Sequence, residues 1–204
     1  MRCRRLGVVE YQPTFDAMKR FTAERNFETE DEIWLLQHPP VYTQGLTGRP
    51  EHVLDAGVIP VIQIDRGGQV TYHGPGQCVA YILYDLRRAN VNIRELVTLL
   101  ENAVVKLLDE WGLSAYGDPS ARGVYVDGRK IAALGLKVSR GRSYHGLSLN
   151  VDMDLAPFSG INPCGYEGLE VTSMAALLGD RCPNVDTLGE LLLAHLVSTL
   201  PTLD

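Results

Sequence analysis

The chain has 204 residues, enough to bury one sizeable hydrophobic core without disulfides or metals. Its formal net charge of −6 argues against a nucleic-acid partner, and no apolar run has the length of a membrane-spanning helix. Four cysteines at irregular spacing, with no CxxC pair, exclude a zinc ribbon and a small disulfide scaffold. No signal-peptide core follows Met1, so we expect one cytoplasmic domain over residues 1–204, a monomer with no membrane partner.

The first half of the chain predicts strands separated by one helix. A short strand is expected over 6–10, and Pro13 opens an amphipathic helix. An apolar strand over 31–38 stops at two prolines. Two further strands, over 58–65 and 78–86, are expected to be buried and to hold a glycine-rich stretch between them.

The second half begins with a long amphipathic helix over 92–112, for which Asn92 and Glu95 form a capping box. A hairpin is predicted over 123–139, and a further strand over 144–151. Residues 152–168 have loop chemistry, and two helices follow near 171–178 and 185–200. The fold class is therefore α/β (α+β), with a mixed, mainly antiparallel sheet flanked by helices.

The stretch 66–77, RGGQVTYHGPGQ, is the segment that ordinary packing explains least well. It holds four glycines and one proline, which disfavour both a helix and a plain strand. Glycine lets a backbone approach a ligand closely, so one interpretation is a ligand-lining loop. A glycine-rich hairpin without a ligand is the alternative, since turns are where these residues usually occur.

Cys164 and Lys130 are the candidates for chemistry. Cys164 lies between Pro163 and Gly165 in a polar, turn-rich segment, which makes it the best candidate nucleophile among the four cysteines. A single cysteine taken alone is more often a buried, inert thiol. Lys130 follows a predicted turn and, taken alone, reads as a surface lysine. Within about 4 Å of a thiolate it would attract the sulfur by roughly 4 kcal/mol at an effective dielectric of 20.

His73 and His145 each precede a glycine in two similar segments. One interpretation is that either histidine orients a nucleophile or binds a ligand carbonyl. The alternative is that its ring only makes hydrogen bonds with the backbone. A zinc site built from Cys164 and both histidines lacks the short ligand spacing that such sites use. Neither a GxxxxGK[ST] phosphate loop nor a GxGxxG fingerprint in a strand-to-helix turn is present. We expect no metal and no cofactor.

Several motifs in one order resemble those of the lipoyl(octanoyl) transferases, the acyltransferases of lipoate biosynthesis. The resemblance runs from near residue 10 to the last helix and is specific because the motifs occur together. They are 37–45 (QHPPVYTQG), 66–77 (RGGQVTYHGPGQ), 128–135 (GRKIAALG), 145–150 (HGLSLN), 162–165 (NPCG) and Thr172-Ser173.

The resemblance implies transfer of an octanoyl group from acyl carrier protein to a lysine of a lipoyl-carrier domain. The acceptors implied are the lipoyl domains of 2-oxoacid dehydrogenase complexes and the glycine cleavage H protein. It implies a fold like the biotin and lipoate ligase catalytic domain. Cys164 is then the acyl-bearing nucleophile and Lys130 its acid/base partner. His145 is a candidate supporting residue on its own position before a glycine. The acyl pocket would be lined by Arg66, Gly67, Gly68, Gln69, Val70, Thr71, Tyr72, His73, Ala133, Leu134, Gly135, Gly146, Leu147 and Ser148.

Two other functions remain open on the sequence. An ATP-dependent lipoate or biotin ligase would use the same fold with an adenylate-forming site and no catalytic cysteine. A non-catalytic acyl-binding module would use the glycine-rich pocket only to hold its ligand. The presence of both Cys164 and Lys130 favours the transferase.

Overall fold

A computed structural model describes residues 1–201, in which ten strands and four α-helices follow one another along the chain. The helices are α1 (Tyr11–Glu24), α2 (Ile93–Glu110), α3 (Met174–Leu178) and α4 (Val185–Thr199). The strands are β1 (Arg2–Val8), β2 (Glu32–Gln37), β3 (Val41–Gln44), β4 (Val61–Gln63), β5 (Val70–His73), β6 (Gln77–Leu83), β7 (Ala115–Gly117), β8 (Val124–Val126), β9 (Arg129–Ser139) and β10 (Arg142–Asn150).

The strands form two sheets. The larger has seven strands in the order β1-β2-β6-β10-β9-β8-β7, and the smaller has the order β4-β3-β5. Only the β1–β2 and β3–β4 pairs are parallel, and the other described pairs are antiparallel. The predicted class, a mixed and mainly antiparallel sheet with flanking helices, is confirmed.

Helix α2 begins where its capping box predicts. The Asn92 side chain accepts hydrogen bonds from the backbone of Arg94 and Glu95, at 2.9 and 3.0 Å, and the Glu95 carboxylate accepts one from the Asn92 N–H at 2.8 Å. Its apolar stripe is buried against the sheet together with α4. The stripe comprises Leu96, Leu100, Val104, Leu107 and Leu108.

Alternate residues of the central strands separate two apolar layers. On β2 and β6, Ile33 and Ile82 pack in the α2–α4 layer, whereas Trp34 and Tyr81 pack in the layer covered by α1. Side chains of a strand point to opposite faces in turn, so the large sheet is covered on both sides. The α1 layer leads directly to the cavity described below.

The strands that hold the glycine-rich stretch 66–77 differ from those predicted. The predicted buried strand over 58–65 is wrong, because only Val61–Gln63 forms a strand and Val58 is 100% exposed. The centre of the stretch is itself a strand, β5, which is buried and pairs antiparallel with β3. The valine, threonine and tyrosine of this segment favour strands, and pairing with β3 outweighs the flanking glycines.

Smaller differences occur elsewhere in the chain. The first strand covers Arg2–Val8 instead of 6–10, and β7 was not predicted. Within residues 152–168 the chain forms two 3-10 turns, Ala156–Gly160 and Pro163–Gly165. Across residues 1–201, no helix is both long enough and apolar enough to cross a membrane.

Candidate active site

Lys130 lies near the start of β9 with its side chain turned inward, and it is only 3% exposed. Its ammonium donates a hydrogen bond to the backbone carbonyl of Arg122, at 3.1 Å. Gly123 makes room for it, because a Cβ there would lie 2.8 Å from Lys130 Cε and 2.8 Å from the Ala132 carbonyl oxygen. The buried Glu101 of α2 accepts a hydrogen bond from the Gly123 N–H at 3.0 Å and so fixes this segment from behind.

Cys164 occupies the middle of the 3-10 turn Pro163–Gly165 with a left-handed backbone, φ 57° and ψ 16°. A residue with a Cβ pays roughly 1–2 kcal/mol for that conformation. The turn is fastened from both sides: Asn162 N–H donates to the His52 carbonyl at 2.8 Å, and Gly165 N–H donates to the Asn162 carbonyl at 2.9 Å. The strain therefore persists because surrounding hydrogen bonds hold the turn in place.

The chain brings these two residues together through a short stretch of backbone pairing. Lys130 N–H donates to the Glu170 carbonyl and Thr172 N–H donates to the Lys130 carbonyl, each at 2.9 Å. As a result, Lys130 Nζ lies 3.2 Å from Cys164 Sγ, although the residues are 34 positions apart in sequence. At this distance the amine can exchange a proton with the thiol, as a general acid or base does with a nucleophile.

The charge on Lys130 is stabilised by its neighbours. Burial opposes the ammonium, but attraction to the Cys164 sulfur and the hydroxyl of Tyr125 outweighs burial and raises the pKa of Lys130 above its ordinary value. The ammonium also lies over the Tyr125 ring, 5.2 Å from its centroid. A protonated amine is thus held 3.2 Å from the sulfur of Cys164.

Cys164 opens onto a cavity with an empty volume of about 480 Å³, part of which is open to solvent. Its walls come from the segment around β5 and from the central residues of β9 and β10. The predicted residues that line it are Arg66, Gly68, Gln69, Val70, Thr71, His73, Ala133, Leu134, Gly135, His145, Gly146, Leu147 and Ser148.

Two residues predicted for the acyl pocket do not line this cavity. Tyr72 packs in a separate cluster with Tyr42 and Phe158, because alternate residues of β5 face opposite ways. Gly67 is exposed and donates its backbone N–H to the Leu136 carbonyl at 2.9 Å. For these two residues, contact with the acyl group stays a prediction.

Arg66 is a buried cation whose partners are neutral. Its guanidinium donates to the Thr43 carbonyl at 2.7 Å, the Thr43 hydroxyl at 2.9 Å and the Gly67 carbonyl at 2.9 Å. Burial lowers the pKa of Arg66, while nearby Tyr11 and Cys164 oppose that effect. Arginine stays protonated at neutral pH, so a second positive charge faces the cavity that holds the sulfur.

Both candidate histidines line the cavity and are held by hydrogen bonds. His73 Nδ1 lies 2.7 Å from Gln77 Oε1, and burial lowers the pKa of His73 to about 3, so it is neutral at pH 7. His145 lies 3.2 Å from an Asp65 carboxylate oxygen and has a left-handed φ of 58°. Burial lowers the pKa of His145, against the opposing effect of Asp65. Among the described residues, no group of three or more histidines, cysteines and carboxylates is placed to hold a metal ion.

Three further residues line the cavity without having been predicted. Tyr11 comes from the first turn of α1, and Val79 and Tyr81 come from β6. The alternation of β6 gave a usable signal for Val79 and Tyr81, since these two share one face of the strand. No motif marks Tyr11, which reaches the cavity only because α1 packs across that face.

The chain matches one family model and a set of curated relatives. The model of the lipoyl protein ligase A/B catalytic domain matches residues 10–197. An octanoyltransferase of Azoarcus sp. (strain BH72) is 60% identical over 201 residues, covering 97% of this chain and 87% of that relative. The chain belongs to the octanoyltransferases of this family. It is therefore an acyltransferase, and the resemblance drawn from its motifs is confirmed.

Solved structures show the same fold at low sequence identity. A bipartite lipoate protein ligase from Thermoplasma acidophilum has a TM-score of 0.75 and 16% identity, covering 98% of this chain and 84% of that one. A biotin protein ligase from Aquifex aeolicus has a TM-score of 0.59 and 12% identity, covering 98% and 69%. The predicted fold relationship is confirmed, and at such identities the likeness concerns the fold alone.

Proposed function

We propose that Cys164 of this octanoyltransferase takes the octanoyl group from acyl carrier protein as a thioester and passes it to a lysine of a lipoyl-carrier domain. The observation that carries the proposal is the 3.2 Å separation of Lys130 Nζ and Cys164 Sγ, beside a cavity that Cys164 lines. The name of the Azoarcus relative supports the octanoyl group. The Thermoplasma ligase, which was studied with its E2 lipoyl domain, supports a lipoyl-domain acceptor.

In the first half-reaction the Cys164 thiolate attacks the carbonyl carbon of the donor thioester. The carbonyl electron pair moves to oxygen, and the oxyanion then collapses and expels the carrier's thiolate. Lys130 gives its proton to that leaving sulfur, which leaves Lys130 neutral and Cys164 acylated. The distances suit this step, because the ammonium already lies within hydrogen-bonding reach of the attacking sulfur.

In the second half-reaction the neutral amine of the acceptor lysine attacks the acyl-enzyme carbonyl. Neutral Lys130 takes the extra proton from the attacking nitrogen, and collapse of the intermediate expels the Cys164 thiolate. Lys130 and Cys164 thereby return to their starting charges, and an amide bond replaces the thioester. The donor is already activated as a thioester, so the cycle requires no ATP.

The remaining assignments are part of the same proposal. The acceptors are lipoyl domains of 2-oxoacid dehydrogenase complexes and the glycine cleavage H protein. The donor carrier protein, a monomeric state, cytoplasmic location and a single catalytic domain over 1–204 stay predictions. The family model covers residues 10–197, which is in keeping with one catalytic unit.

The test is to incubate the protein with octanoyl carrier protein and measure its intact mass. We expect a mass increase of one octanoyl group that hydroxylamine removes and that Cys164→Ala abolishes. Cys182→Ala is the matched control, because Cys182 is also a free, partly exposed cysteine and should leave the adduct unchanged. An undiminished adduct in Cys164→Ala would contradict the proposal. Exchange of pyrophosphate into ATP would indicate a ligase instead.

A further inference from the structure

The side chain of Gln69 lies beside the nucleophile and has no role in the mechanism described so far. Gln69 immediately precedes β5 and lines the same cavity as Cys164. Its backbone is held in place because the Gly45 N–H donates to the Gln69 carbonyl at 3.3 Å and the adjoining Val70 pairs with Gln44. The side chain therefore projects into the site from a fixed strand.

Gly165 shows how close the Gln69 carboxamide comes to the nucleophile. A Cβ at residue 165 would collide with the Nε2 and Cδ atoms of Gln69 and would lie 2.8 Å from its Oε1. Gly165 also has a left-handed φ of +78°. The carboxamide thus occupies the space directly over the residue that follows Cys164, a position that only glycine leaves open.

The carboxamide of Gln69 has hydrogen-bonding capacity that the protein does not use. Its Oε1 is buried and has no hydrogen-bond partner anywhere in residues 1–201. A glutamine amide offers two donors and two acceptor positions, and a 180° rotation exchanges its oxygen and nitrogen without moving the group. An unpaired buried polar atom costs about 1–3 kcal/mol. Oε1 itself can only accept a hydrogen bond, so the group available to a substrate oxygen is the Nε2 donor of the same carboxamide, which also lies close to residue 165.

The two backbone donors that follow Cys164 are already engaged. The Gly165 N–H donates to the Asn162 carbonyl at 2.9 Å, and the Tyr166 N–H donates to the Pro163 carbonyl at 3.1 Å. The backbone after the nucleophile, which serves as the oxyanion donor in many acyl-transfer enzymes, is therefore occupied by its own 3-10 turn. Lys130 must give up its proton during the first half-reaction, so it does not serve as a constant donor through both halves.

We propose that Gln69 Nε2–H donates a hydrogen bond to the carbonyl oxygen of the octanoyl group as that oxygen becomes an oxyanion. The inference rests on the proposed function and names a catalytic residue for it. When a nucleophile attacks, the carbonyl electron pair moves to oxygen, and the amide hydrogen bond stabilises the charge until collapse restores the carbonyl. Because the amide stays neutral throughout, the same group serves acylation of Cys164 and transfer to the acceptor amine.

The test compares two reactions of one sulfur. Single-turnover acylation of Cys164 by p-nitrophenyl octanoate passes through an oxyanion, whereas alkylation by iodoacetamide is a displacement at a saturated carbon and has none. Gln69→Met keeps the length of the side chain and removes the donor, so acylation should fall by about 10²–10³-fold. Alkylation at pH 7 should change by less than about threefold. Gln69→Leu, which is also uncharged and cannot donate, should show the same split if Gln69→Met fails to fold.

Gln12→Met is the matched control, since Gln12 is exposed on α1 and binds only Asp16 in the described chain, at 3.0 Å. It should leave both rates unchanged. A parallel fall of both rates in the Gln69 variants would show that Gln69 only positions the turn, and unchanged rates would show no role. Either result overturns the inference while wild-type acylation still supports the proposed function. If wild-type Cys164 is not acylated at all, both fail.

Discussion

The layer formed by α2 and α4 differs from the walls of the cavity beside Cys164 in how its side chains are packed and paired. In the helix layer, Asn92 and Asn184 cap the helices, and the contacts are apolar and fully buried. Around the cavity, Cys164 and His145 have left-handed backbones, Arg66 is buried with neutral partners, and Gln69 has an unpaired oxygen. These features cost stability, and they cluster where a ligand would use them.

The comparison shows that the helix layer stabilises the folded state, whereas the groups around the cavity destabilise it. Each strained or unpaired group at the cavity costs of the order of 1–3 kcal/mol, while each fully buried leucine in the helix layer contributes about 1.5–3 kcal/mol. The strands of the large sheet connect the two regions. Burial of apolar side chains in the helix layer therefore offsets the free energy lost to strained and unpaired groups at the cavity. We therefore expect substitutions in the two regions to affect different measurements.

The substitution Lys130→Met should have the largest effect, a fall in the rate of octanoyl transfer. Loss of the amine removes both the stabilisation of the thiolate and the acid/base group, so octanoyl transfer should fall by about 10²–10⁴-fold. Single-turnover transfer to a lipoyl domain measures it, and alkylation of Cys164 at pH 7 should slow as well. Lys137→Met, on the same strand β9, is the control. A rate within threefold or so of wild type would rule out the role assigned to Lys130.

A substitution in the helix layer should lower the free energy of unfolding and leave the rate of octanoyl transfer unchanged. Leu107 is fully buried in α2, so Leu107→Ala should lower the free energy of unfolding by about 2–5 kcal/mol. Urea denaturation measures this loss. The transfer rate per folded molecule should match wild type at a temperature where the variant is folded. A large fall in that rate, with the fold intact, would mean that the two regions are not separable.

The smallest expected effect concerns the strain at the nucleophile. With φ 57° at Cys164, glycine is better accommodated there than alanine, so Cys164→Gly should be about 1 kcal/mol more stable than Cys164→Ala. Both variants lack the sulfur, so only the backbone preference differs between them. Thermal melts of the pair measure the difference. If Cys164→Ala were the more stable of the two, the turn would carry no such strain.

Local signals in the sequence were sufficient for parts of the fold. Asn92 and Glu95 marked the start of α2, and the residues on either side of Asp127-Gly128 formed the predicted hairpin of β8 and β9. The strand at 58–65 failed for a different reason. Its apolar residues suggested a buried strand, but burial depends on which strand pairs with it, and only a short edge pairing with β3 is formed.

The site was accessible from the sequence only in part. The ordered motifs indicated Cys164 and Lys130 through a family resemblance, whereas spacing alone does not bring residues 34 positions apart into contact. Within residues 1–201 the Gln69 oxygen has no hydrogen-bond partner, a property of the assembled structure that no local pattern encodes. Tyr11 likewise reaches the cavity through helix packing, which follows from the assembled tertiary structure.

The pairing of Lys130 with residues 170 and 172 makes the active site a reporter of complete folding. Until that edge of β9 has closed, the amine and the sulfur belong to separate parts of the chain and form no dyad. A partly folded molecule thus contains every catalytic group and has no activated thiol. The fraction of molecules acylated at Cys164 would then report the fraction that is correctly folded, because each molecule carries one such sulfur.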